Sequence, residues 1–82
     1  MDQKSTFDML LAHKDSYPIV AFFACDHLPP ELQAQSRPFM YVALQMVETV
    51  PRNPETAAGL RKLLEAKDCA VRAALDLTGG QR

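Results

Sequence analysis

The sequence predicts an all-α protein: an antiparallel two-helix hairpin preceded by a short N-terminal helix and an apolar segment. Three observations carry this expectation. Two long stretches, ending near Val50 and near Leu77, repeat apolar residues at helical steps. Between them, Val50-Pro51-Arg52-Asn53-Pro54-Glu55 is the clearest break in the chain. The single run with strand-like composition, IVAFFAC at 19–25, has no second strand to pair with.

The first helix is expected to start at Ser5-Thr6-Phe7-Asp8, with the Ser5 hydroxyl capping and Asp8 in the place of a capping-box acid. Phe7, Leu10 and Leu11 then share a face, and the helix ends near His13. Tyr17-Pro18 stops any helical path, because proline disfavours the α conformation of the residue before it. Residues 19–25 are then either a short helix or an extended piece laid on the core.

Leu28-Pro29-Pro30-Glu31 opens the second half, since proline is tolerated in the first turn of a helix. Leu32, Phe39, Ala43, Met46 and Val50 mark one face of the helix that follows. Pro38 either begins a fresh helix capped by Ser36 or bends a continuous one, and the unbroken apolar phase makes the two pieces near-collinear. Pro51 ends this helix. Asn53 is the expected cap of the last one, with Pro54 at its first position and Glu55 against the positive end of its dipole.

The last helix carries a main stripe of Ala57, Leu60, Leu64, Lys67, Val71, Ala74 and Leu75, and stops at Gly79-Gly80. Gly59 inside it costs roughly 1 kcal/mol relative to alanine, which a close contact would explain. A second row of Leu63, Ala66, Ala70, Ala73 and Leu77 wraps the apolar surface further round. Chains this small gain little from one core, about 3–5 kcal/mol, so a homo-oligomer is expected. Residues 1–82 form one domain in this reading, with 1–26 as the N-terminal part and 27–78 as the hairpin.

Composition narrows the function. With 82 residues, 48% hydrophobic and 23% charged, the chain is globular. Its formal net charge of −1 argues against binding a long nucleic acid. No apolar run approaches the roughly 20 residues of a membrane span, and the N-terminus lacks a signal-peptide pattern, so a soluble intracellular protein is expected. Cys25 and Cys69 are read as small buried or half-buried hydrophobes. Glycine-rich phosphate loops, paired metal-spaced histidines and nucleophile motifs are missing from the sequence, so the expectation is a non-enzyme without cofactor or metal.

The cations say more. Arg61 with Glu65 and Asp68 with Arg72 are spaced for helical ion pairs. Lys67 lies on the apolar stripe between Leu64 and Val71, where it must snorkel, pair with an acid such as Glu48, or meet an anion at a subunit seam. Tyr17, Phe22, Phe23 and Phe39 are core aromatics or a stacking surface. Tyr17, beside a proline in a loop, is the expected exception to burial.

At HLPPELQAQSRPF (27–39) and VPRNPETAAGLRKLLEAKDCAVRAAL (50–75), the chain resembles the phage anti-CBASS and anti-Thoeris cyclic-nucleotide sponges of the Acb/Tad helical hairpin group. The shared pattern is an aromatic lead segment, a His/Pro-rich opening, a helix, a Pro-Asn-x-Glu type of turn and an alanine-rich second helix. It covers residues 20–76 or so. The resemblance implies a non-enzymatic oligomer, often a hexamer built from dimers, in the cytoplasm of an infected bacterial host cell. It would hold a cyclic di- or trinucleotide, or a cyclic ADP-ribose relative, at subunit seams and keep a defence effector silent. The residues expected to bind are Tyr17 or an N-terminal Phe by stacking, and Arg61, Lys67 and Arg72, with Arg37 in support, at phosphate. Tyr17 and Lys14 stand in for the lysine-rich, tyrosine-bearing N-terminal motif of the best-known members. The rival expectation is a small helical adaptor or inhibitor that regulates a host protein through its apolar helix face.

Overall fold

The computed structural model describes residues 2–75. Those residues are helical throughout their regular structure and contain no strand. Helix α1 spans Gln3–Leu11, a 3-10 helix spans Pro18–Phe23, α2 spans Pro30–Thr49 and α3 spans Pro54–Ala74. Leu77 and the Gly79-Gly80 stop expected for the last helix lie outside the described residues.

Helix α1 starts earlier than the sequence suggested. Asp2, not Ser5, is its cap: the Asp2 carboxylate accepts from the Ser5 amide at 2.7 Å, and Thr6 Oγ1 donates to the Asp2 carbonyl at 2.9 Å. Both Asp2 and Ser5 are good capping residues, and the earlier one satisfies the orphan amides while burying Thr6 and Leu10. The helix gives out at Leu11, and a run of turns carries the chain to Tyr17.

Pro38 neither starts nor breaks a helix. It stands inside α2 on an exposed face, where solvent can take the carbonyl of Ala34 that its ring leaves without a donor. Ser36 is therefore mid-helix and buried rather than a cap. The buried face of α2 is Leu32, Ser36, Met40, Ala43 and Leu44, with Phe39, Met46 and Val47 packed alongside. Val50 lies beyond the helix and is exposed.

Asn53 caps α3 as expected, its Oδ1 accepting from the amides of Glu55 at 3.0 Å and Thr56 at 3.1 Å. Thr56 turns inward and donates to the Pro51 carbonyl at 2.6 Å. It takes the buried place expected for Ala57, which is exposed. Leu60, Lys67 and Ala74 continue the inward stripe, with Leu64 and Val71 half-buried. Gly59 meets α2 closely: a Cβ there would lie 3.0 Å from the terminal methyl of Met46. On the second row, Leu63 and Ala70 are half-buried while Ala66 and Ala73 are exposed. One core joins all four elements, with Leu10, Val20, Phe23, Met40, Ala43 and Leu60 fully enclosed.

Candidate functional site

The 3-10 helix is the most informative local structure. Three residues per turn place Val20 and Phe23 on one side, where both are fully buried. Phe22 falls between them and is 66% exposed. Sequence periodicity alone did not separate these two phenylalanines, because the choice depends on the 3-10 rather than the α repeat.

The open end of this short helix is closed by Lys67. Its Nζ donates to the Phe22 carbonyl at 3.0 Å and approaches the Ala24 carbonyl at 3.5 Å. The stem runs along the apolar stripe of α3 and the ammonium finds backbone oxygens that would otherwise lack donors. Lys67 is buried rather than snorkelled outward, and among the described residues no carboxylate, Glu48 included, lies within ion-pair distance of it. Cys25 follows directly and is 1% exposed. Burial pushes its thiol pKa up and the Asp26 charge adds to this, while Arg37 and Lys67 oppose it. Such a thiol is inert. Cys69 departs from expectation and is exposed, with the Arg72 guanidinium 3.3 Å from its sulfur.

The expected binding residues take very different places. Tyr17 is not the exposed aromatic: it belongs to the core cluster at 6% exposure, and its buried hydroxyl has no partner among the described residues. Arg37 is half-buried and donates from Nε to Gln3 Oε1 at 2.9 Å. Gln3 in turn donates to Asp26 at 2.6 Å and to Gln33 at 3.2 Å, so Arg37 helps seat α1 on α2. Arg61 and Arg72 are exposed on α3. The ion pairs expected for them with Glu65 and Asp68 do not form; among the described residues the close pair is Lys4 with Asp8 at 3.6 Å. Free rotation of exposed side chains outweighs the few tenths of a kcal/mol such pairs supply.

An open cleft of about 360 Å³ lies elsewhere, lined by Ser16, Tyr17, Arg52, Asn53, Pro54 and Ala57. Of the five expected residues it holds Tyr17 alone. Arg52 and Asn53 had been legible only as parts of a turn. Among the described residues no group of three or more His, Cys, Asp or Glu could hold a metal ion, and no helix is long and apolar enough to cross a membrane.

No family model matches the chain, and neither a curated protein nor a solved structure is found similar to it.

Proposed function

We propose that this protein is a phage anti-defence sponge that binds cyclic oligonucleotide or cyclic ADP-ribose-type immune signals, without cleaving them, in the cytoplasm of the infected bacterium. In this reading α2 and α3 form an antiparallel hairpin and several copies assemble around the ligand. The observation that carries it is Phe22, an aromatic ring held in solvent on a short helix that Lys67 clamps from behind. With the backbone that carries it held, the ring leaves less to be ordered when a base stacks on it. Phe22 thus takes the stacking part first expected of Tyr17, whose ring is in the core.

Arg61 and Arg72 lie about three turns apart on α3, exposed and without acid partners among the described residues, and supply charge for phosphate. Arg37, held through its Nε by Gln3, stands in support, while Lys67 acts through Phe22. Symmetry would gather a few such cations and offset the chain's net charge of −1.

The test is a thermal-shift screen with cyclic di- and trinucleotides, followed by heat release and chromatography of the ligand. A sponge at ligand about 100-fold above Kd gains roughly 2.7 kcal/mol of apparent stability, and the ligand returns intact. The double variant Phe22→Ala, Arg72→Ala should lose that gain at unchanged helicity. Stabilisation that survives it sinks the assignment.

The adaptor reading has its own support. Met9, Val42 and Val50 are each more than 40% exposed, and such apolar side chains are available to a protein partner. A silent nucleotide screen together with a monomeric mass would favour it.

A further inference from the structure

We infer that the cleft between the 13–17 turn and the α2–α3 turn binds an oxyanion, phosphate ester or carboxylate, carried on a small apolar body. This goes beyond the sponge reading, whose contacts are Phe22 and cations of α3, and it rests on residues that reading does not use.

The lining combines Tyr17, Pro54 and Ala57 with the polar Ser16, Arg52 and Asn53. Each of these three polar side chains can donate. Arg52 presents the planar fork that matches carboxylate and phosphate, and it has no ion-pair partner among the described residues. Asn53 has its Oδ1 committed to the Glu55 and Thr56 amides, which leaves its Nδ2 donors for another acceptor. Ser16 adds a hydroxyl. Among the described residues no acid lines the cleft: Asp15 and Glu55 are adjacent in sequence, but neither contributes to the wall.

The start of α3 is not itself the anion site. Its first free amides are taken by Asn53, two by the side chain and that of Ala57 by the Asn53 carbonyl at 3.3 Å. The recognition therefore falls on side chains. Tyr17 lines the cleft and is otherwise enclosed in the core at 6% exposure, which makes it a fixed part of the wall. A volume of about 360 Å³ suits a small ligand rather than a peptide.

The probes are phenyl phosphate, benzoate and inorganic phosphate, titrated against the full chain labelled with nitrogen-15. Saturable shifts at the amides of Ser16, Tyr17, Asn53 and Ala57 are expected with phenyl phosphate, with inorganic phosphate at least about tenfold weaker for want of the apolar body. Benzoate binding as tightly as phenyl phosphate supports the oxyanion and marks a carboxylate source; benzoate binding more weakly marks a phosphate ester. Arg52→Gln should weaken the aromatic probe about tenfold or more, and Lys62→Gln should leave it unchanged. The inference is overturned if neither aromatic probe gives saturable shifts there, or if Arg52→Gln binds like the parent. Arg52→Gln leaves the Phe22 surface intact, so cyclic-nucleotide stabilisation that persists in this variant separates the two readings.

Discussion

Lys67 and Phe22 stand 45 residues apart in the chain, yet the ammonium of one donates to the backbone oxygen of the other at 3.0 Å. The contact joins the middle of α3 to the end of the 3-10 helix and turns a cation on an apolar stripe into a cap.

Lys67→Met tests that role. Methionine keeps an unbranched apolar stem but offers no donor, so the Phe22 and Ala24 carbonyls lose their partner. Relief of the buried charge offsets part of the loss, and we expect a net cost of about 1–3 kcal/mol. Urea denaturation should show a lower midpoint at unchanged slope. Amide exchange over 18–25 should quicken more than that in α2. Equal quickening in both would mean that Lys67 supports the core generally and not this segment.

Gly59→Ala addresses the crossing of α2 and α3. The new methyl would sit 3.0 Å from the Met46 terminal methyl, the mobile end of a flexible side chain. Alanine favours the helix by roughly 0.8–1 kcal/mol over glycine, and displacement of Met46 consumes part of this. The expected outcome is a rise of a few tenths of a kcal/mol, seen as a slightly higher Tm. A marked fall would show that Met46 cannot move aside. The double variant Gly59→Ala, Met46→Ala would locate the clash.

The two thiols should behave as different species. Cys69 is exposed and should react with a thiol reagent at once, whereas Cys25 should react only after unfolding. The Cys25 pKa is raised in the folded state by burial and by Asp26. A raised value means that the folded chain holds this proton more tightly than the unfolded chain. The resulting stabilisation is full below the ordinary thiol pKa and is lost as pH rises through the folded one. Cys25→Ser should flatten the alkaline limb of the stability curve. Labelling of Cys25 as fast as Cys69 at neutral pH would contradict its burial.

How much of this was legible beforehand follows from which interactions are local. The α2–α3 turn was readable because Asn53 and Pro54 act on their own neighbours. Gly59 pointed to a close approach because its cost within a helix is independent of context. The start of α1 was misplaced because two good caps, Asp2 and Ser5, lie three residues apart and only packing chooses between them. Met40 and Leu44 were missed from the core because the face had been drawn through Phe39 and Val50. At the candidate site, Tyr17 lies in the core rather than in an exposed loop, and the ammonium of Lys67 reaches backbone carbonyls rather than Glu48. A lysine on a greasy stripe reveals that an acceptor exists, but not that a carbonyl 45 residues away provides it. Arg52 gave no signal of its own, since a turn arginine is ordinary until an aromatic from another part of the chain is brought to it.

The side-chain amide of Gln3 has two unlike ends, and both are engaged: its oxygen meets Arg37 and its nitrogen meets Asp26 and Gln33. A helix of nine residues that buries Thr6 and Leu10 and packs Phe7 on the core is positioned by few side chains. Apolar contact alone would tolerate a slip by one turn or a roll about the axis. The directional amide does not, because either motion sets donor against donor or strands Asp26. Glutamate at this position would keep the size and destroy the polarity, bringing a second negative charge up to Asp26. The seating of α1 is thus selected by the sense of one amide, a locating pin that fits in a single orientation.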